Sequence, residues 1–408
     1  MTLQSPHPTA SWRRLLALFT VASFIETMFW GQMGAFTPLY LPHLGISLED
    51  VPVWTGAIAA ISNMLGIPFL PLWGALADRY TRQPIIVRSF VAHLVAGIVT
   101  LLAGNIWVFV IGRAVMSLAL GNSGLMMTTL SERTPRERIG LAFSIMNSAS
   151  PIGGFLGPLI GGPIVDRWGF PALLALNVVL MLLVILALIF GYRDTFVGTD
   201  RGPLLRMAAD SVGIIWRSPR LRMLFPALFF LFGGWMLALT YIPLVIEREL
   251  YHGTQPGTAV GIVIGAGGLA TLFVSPVMGA LADRLGFWRM LFAGAVVEVL
   301  LWPLPALAPD LVSFAVAWAL LNGVASGVFA ISFSVMSASA PSDMRGRVMS
   351  FAYLPVNIGF MLGPAIGSVV TQQSLFAIFP AAAVLTAIGI GALVFAARQT
   401  RVTVAPSA

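Results

Sequence analysis

The hexapeptide Gly74-Ala75-Leu76-Ala77-Asp78-Arg79 recurs unchanged as Gly279-Ala280-Leu281-Ala282-Asp283-Arg284, 205 positions later in a chain of 408 residues. Each copy follows a long apolar run. Pro135, Gly140, Gly153, Gly157, Pro158 and Gly161 recur as Pro341, Gly346, Gly359, Gly363, Pro364 and Gly367, at an offset of 206. A register held from the second to the fifth apolar run of each half marks an internal duplication, and in lipid-compatible sequence it predicts two related membrane bundles.

Hydrophobic residues make up 58% of the chain and charged ones 10%, with a mean hydropathy of +0.91. That leaves too little polar surface to coat a soluble body of this size. A helix needs roughly 20 apolar residues to cross about 30 Å of hydrocarbon, and twelve segments meet that requirement. They are 15–41, 53–76, 85–104, 106–130, 141–163, 171–191, 223–245, 258–281, 290–307, 311–336, 349–370 and 376–396. The expected fold class is therefore an all-α integral membrane protein, with twelve transmembrane helices in two pseudo-symmetric six-helix bundles. Both halves begin on the same side, which makes them parallel repeats about an axis along the membrane normal.

All 23 basic residues are arginine. With the N-terminus inside, 20 of them fall in inner segments or the adjoining helix turn, Arg167 and Arg248 fall outside, and Arg113 lies within a span. This asymmetry predicts a multi-pass protein of the cell membrane with both termini cytoplasmic. It also accounts for the net charge of +7 without a nucleic-acid partner. The absence of cysteine excludes disulfides and thiol-bound metals, and no metal is expected elsewhere. The first apolar run is too long for a signal-peptide core and is taken as a span.

Three units are expected: 1–191 as an N-terminal six-helix bundle, 192–222 as a cytoplasmic linker, and 223–408 as a C-terminal six-helix bundle. Within the linker, Leu204, Leu205, Ala208, Val212, Ile215 and Trp216 recur at helical spacing. They fit an amphipathic helix on the inner membrane face or a plain tether. The outer loops are short, so function is expected inside the bundle.

The loop Gly74-Ala-Leu-Ala-Asp78-Arg79-Tyr-Thr-Arg82 and its echo Gly279, Asp283, Arg284 resemble the loop signature of the major facilitator superfamily. The fifth-span run Gly153-Gly154-Phe155-Leu156-Gly157-Pro158-Leu159-Ile160-Gly161-Gly162 resembles the motif of its exporter branch, the twelve-span drug:proton antiporters. The resemblance covers nearly the whole chain. Thr81 and Gln83 stand where the family usually has glycine and a basic residue, and Met116 and Ser117 follow Arg113 where it has glutamine and glycine. The resemblance implies a gating role for Gly74, Asp78, Arg79, Arg82, Gly279, Asp283 and Arg284. It implies a sealing or exchange-directing role for Gly153, Gly157, Pro158, Gly161 and Gly162. The same residues also suit a charged turn that enforces topology and a stripe of static helix packing.

Glu26, His93, Arg113 and Glu298 lie well inside predicted spans. A charge at mid-bilayer costs about 3 kcal/mol on the insertion scale, so each must face protein, a partner or water. Glu26, Arg113 and Glu298 are the proton-coupling candidates; a permanently hydrogen-bonded glutamic acid is the plain alternative for Glu26. His93 and Glu298 occupy equivalent positions in the two halves and are expected to be structural there. Phe29, Trp30, Phe36, Trp235, Met236 and Tyr241 are the substrate-cavity candidates, since adaptable apolar walls suit lipophilic compounds. Aromatic residues also serve as lipid-facing and interfacial material.

These features predict a secondary transporter, not an enzyme, exporting small amphipathic compounds or drugs by proton-coupled alternating access. A sugar or metabolite permease, and a lipid transporter, are the alternatives. No catalytic residue and no cofactor is expected, with protons as the coupling ion. The expected partners are a small-molecule substrate and the lipid bilayer, with no nucleic acid, and one chain holds the complete unit, so it is expected to be monomeric.

Overall fold

The computed structural model describes residues 10–69, 76, 81–119, 121–194, 219–339 and 353–402. Gly74, Asp78 and Arg79, and the amphipathic segment expected over 204–216, lie outside them. Among the described residues there is no strand, and twelve helical segments follow the twelve apolar runs. The first half contains α1 (Ala10–Tyr40), α2 (Val51–Met64), α3 (Arg82–Leu101), α4 (Ile106–Met116 and Asn122–Arg133), α5 (Ile139–Trp168) and α6 (Phe170–Gly191). The second contains α7 (Pro219–Val245), α8 (Pro256–Leu285), α9 (Phe287–Leu301), α10 (Leu311–Ser339), α11 (Tyr353–Val370) and α12 (Ile378–Val402). Eleven are long and apolar enough to cross a membrane, and Leu354–Val370 is a shorter apolar helix.

One span is interrupted. The run 106–130 was expected as a single helix, yet α4 tightens into a 3-10 turn at Ser117–Ala119 and restarts after Gly121, whose φ is 102°. A left-handed φ suits glycine and ends the helical ladder there. Asn122 is the first residue of the restarted piece.

The halves meet along two seams, α5 against α8 and α2 against α11. Exchanging the halves maps one seam onto the other, and likewise maps the α1–α5 packing onto α7–α11. The duplication read from sequence is thus a pseudo-twofold in space. Glycine makes the seams close: a methyl group on Gly261 of α8 would lie 2.4 Å from the Pro158 carbonyl oxygen of α5. Within the first half, one on Gly157 would lie 2.7 Å from the Met28 carbonyl oxygen. Small residues let backbones approach where lipid provides no hydrophobic drive for association.

At the end remote from the termini, one apolar core crosses both halves, joining Phe36, Leu41 and Val51 to Leu244, Val260 and Ile264. Toward the termini the second half has its own core, including Leu224, Leu228, Leu291 and Val335. There the α5 residues Ser144, Asn147 and Ser148 are exposed, one to two turns before Ser150 and Pro151. Among the described residues, the halves share a core at the end remote from the termini and have separate cores toward the termini.

Candidate functional site

A cavity of about 300 Å³ lies between the halves. Its wall is drawn from α1, α2, α4 and α5 of the first half, and from α7, α8 and α11 of the second. Trp30, Trp235 and Met236 line it, together with Phe360. The Phe360 ring centre lies 6.5 Å from that of Trp30 and 6.1 Å from that of Trp235, so one aromatic run crosses from α1 to α7. Trp235 is tethered from behind. Its Nε1 donates to Asn322 Oδ1 at 3.0 Å, and Asn322 Nδ2 donates to the Gly267 carbonyl at 3.0 Å and to Thr271 Oγ1 at 3.1 Å.

Three of the expected cavity aromatics lie behind the wall. Phe29 turns toward α3, edge-on to His93 at 5.9 Å; Phe36 packs on Phe170 at 6.5 Å. Tyr241 is fully buried and donates to the Pro364 carbonyl at 2.9 Å, at the meeting of α7 and α11.

Of the ionisable candidates, Arg113 alone lines the cavity. It is 5% exposed, Nη1 contacts Met116 Sδ at 3.5 Å, and its buried Nε has no hydrogen-bond partner. Glu26 faces the interior of the first half, one residue before the cavity-lining Thr27. Asn122 Nδ2 lies 2.8 Å from each of its carboxylate oxygens, and His93 Nδ1 lies 3.7 Å from Oε1. His93 Nδ1 is also 3.1 Å from the Ser89 carbonyl, an acceptor only, so Nδ1 carries a proton. The grouping of Glu26 with His93 was not foreseen in the sequence, where His93 reads as peripheral. The break at Gly121, which sets Asn122 against the carboxylate, was equally hidden. A usable signal was that all three are polar residues of spans in the same half. Glu298 is 1% exposed in α9, away from the cavity, and its Oε1 has no hydrogen-bond partner.

Of the first loop signature, Arg82 lies among the described residues and is firmly engaged. Arg82 is 5% exposed and forms a two-pronged pair with Glu132 of α4, at 2.6 and 2.8 Å, while its backbone N–H donates to the Asp194 carboxylate. Gln83, a departure from the family pattern, donates to the carbonyls of Leu188, Ile189 and Tyr192 and so caps the end of α6. Burial pushes the Tyr192 hydroxyl up to about 12, and the Arg133 guanidinium lies 5.5 Å from its ring centre. These contacts tie α3, α4 and the end of α6 together within one half. In the second copy, Asp283 and Arg284 are exposed at the end of α8, and Gly279 has open space around its Cα.

The fifth-span glycines divide between two neighbours. Gly153, Gly157 and Gly161 face α1, through Phe24, Met28 and Phe36; Gly162 and Pro158 face α8, through Gly257 and Gly261. Gln32 of α1 adds a hydrogen bond to the Gly157 carbonyl at 2.9 Å. α5 therefore carries one of the two seams on which the first half meets the second.

The family model described as Major Facilitator Superfamily matches residues 18–297 and 251–407. The chain is 28% identical over 387 residues to "Multidrug resistance protein MdtG" of Enterobacter lignolyticus (strain SCF1), covering 89% of this chain and 87% of that one. It is 24% identical over 371 residues to the protein of the same name from Rahnella sp. (strain Y9602), covering 90% and 89%. Among solved structures, the nucleoside transporter NupG aligns with a TM-score of 0.75 at 14% identity, over 93% of this chain and 99% of that one. The POT family transporter PepTSo aligns with a TM-score of 0.75 at 15% identity, over 95% and 98%. These relatives are transporters, not enzymes.

Proposed function

The chain belongs to the major facilitator superfamily, and from that premise we propose that it is a proton-coupled exporter of small amphipathic compounds. It works by alternating access in the cell inner membrane, with both termini cytoplasmic, as a monomer and without a cofactor other than protons. The observation that carries this reading is the position of the cavity. It lies between two halves fastened at the end remote from the termini, with an aromatic wall and with Glu26 one residue from its lining. A compound entering from the terminal side reaches the cavity, and rocking of the halves presents it to the other side.

The Glu26, His93 and Asn122 group lies where α1 meets α3 and α4, so a movement of α1 at the cavity changes the carboxylate's partners. A proton exchanged there can be linked to the state of the cavity. Moving one charge through 100 mV is worth about 2.3 kcal/mol, enough for roughly a fiftyfold substrate gradient. The name carried by the relatives favours drug export over a sugar permease, as does the scarcity of charged and amide groups in the wall.

The test is substrate-evoked proton movement in proteoliposomes, comparing the natural chain with Glu26→Gln across lipophilic drugs and sugars. Drug-evoked proton release that disappears in Glu26→Gln is the expected result. Transport of a sugar with no drug response would replace this reading with the permease.

A further inference from the structure

Among the described residues, Arg113 is the one charged residue of the cavity wall and no carboxylate stands within ion-pair distance of it. Glu26 is held elsewhere by Asn122. Among the described residues the one hydrogen bond of the Arg113 side chain goes to a thioether sulfur, a weak acceptor, and Nε is buried without a partner. A guanidinium withdrawn from water and left unpaired is costly, and an arriving anion removes that cost.

The rest of the wall offers an anion nothing comparable and a cation no counter-charge. Thr27, Thr37, Thr55, Ser62 and Thr240 each donate to the carbonyl one turn back on their own helix, at 2.6 to 2.8 Å. Their protons are committed to backbone, so among the described residues the Arg113 guanidinium is the one cationic donor of the wall. Trp30, Phe360 and Trp235 supply apolar ring surface in the same cavity, and Trp235 keeps its own N–H on Asn322.

We propose that the substrates of this cavity are amphipathic anions, each with a flat apolar body and one acidic head group, and that Arg113 receives the head group. This rests on the export reading above and names its substrate class. The aromatic run takes the body by stacking and the guanidinium takes the acid in a charge-assisted, two-pronged contact. A volume of about 300 Å³ suits a compound of one or two fused rings.

The test is equilibrium binding to the full chain in nanodiscs, using three naphthalene probes of one shape: a sulfonate, its neutral sulfonamide, and a methylammonium. The expected order places the sulfonate about tenfold or more tighter than the sulfonamide, with the ammonium weakest. In Arg113→Gln the sulfonate should fall to the level of the sulfonamide, whose own affinity stays within about twofold. Arg113→Lys should keep part of the preference, because the charge remains while the planar fork is lost. If Arg113→Gln does not fold, the charge order of the natural chain and the Arg113→Lys value still decide. Tighter binding of the ammonium, equal binding of all three, binding of none, or a sulfonate preference that survives Arg113→Gln would overturn the proposal. Failure of the export reading is seen separately, as absence of drug-evoked proton movement in proteoliposomes whose protein still ranks the three probes by charge.

Discussion

Asp166 grips Thr258: its Oδ2 accepts from the Thr258 amide at 2.7 Å and from the Thr258 hydroxyl at 2.6 Å, while Oδ1 accepts from the Gly257 amide at 2.9 Å. Asp166 ends α5 and Thr258 begins α8, so a carboxylate of one half caps a helix of the other. The contact satisfies open N–H groups and opposes the positive end of the α8 dipole. It stands at the end where the shared apolar core closes the cavity. Losing hydrogen bonds to a charged group costs about 2 kcal/mol, which biases an opening equilibrium by roughly thirtyfold. Asp166→Ala should therefore open that end. The chain has no cysteine, so Ser62→Cys in the cavity can report alone. An impermeant maleimide added at the face opposite the termini should label the Asp166→Ala background several-fold faster. Equal rates would mean that the apolar core alone keeps this end shut.

The Arg82 and Glu132 pair should stabilise the first half. Because Glu132 is 49% exposed, solvent screening limits the pair to about 1 kcal/mol. A double-mutant cycle with Arg82→Ala and Glu132→Ala, read by thermal unfolding in detergent, should give a coupling energy of that size. A coupling near zero would assign the pair to topology alone.

Gly261→Val should be poorly tolerated, because the added carbon meets the Pro158 carbonyl at 2.4 Å across the seam between halves. Neither backbone can yield locally, so the cost is about 1–3 kcal/mol and falls on contact between the halves. Lower thermal stability together with faster Ser62→Cys labelling is expected. Gly279→Ala, with open space at its Cα, serves as the control and should change neither.

Asn122→Leu removes the donor that both oxygens of Glu26 share. Proton-coupled transport should fall about tenfold or more, while downhill substrate equilibration across the same vesicles persists. Equal loss of both would make Asn122 a part of the scaffold and not of the coupling.

Asn322 has no exposed surface and holds Trp235, Gly267 and Thr271 together. Asn322→Leu strands the Trp235 N–H, at a cost of about 1–3 kcal/mol, while the Gly267 carbonyl keeps the Thr271 hydroxyl as a donor. Unfolding temperature should drop and binding of the aromatic sulfonate probe should weaken several-fold. Unchanged binding in a destabilised protein would separate the network from the cavity wall.

Much of this fold was legible in the sequence. The repeated hexapeptide and the glycine and proline register predict two equivalent halves, and apolar runs of sufficient length predict the spans, because hydrocarbon requires every backbone polar group to be satisfied within its own helix. What the sequence did not reveal is which way each side chain faces. A soluble helix declares its buried face by alternation of polar and apolar residues, but a helix in lipid is apolar all round, so neighbours such as Phe29 and Trp30 look alike. The tertiary structure turned Trp30 into the cavity and Phe29 away from it, placed His93 beside Glu26, and broke α4 so that Asn122 reaches the same carboxylate. It also left Arg113 in the wall with no counter-ion among the described residues, and joined Asp166 to a helix of the other half. Composition and apolar run length determined that the chain spans a membrane, and the internal repeat determined that it does so in two related halves. Only the rotation of each helix about its own axis, set by packing against neighbours distant in sequence, decided which polar residues meet.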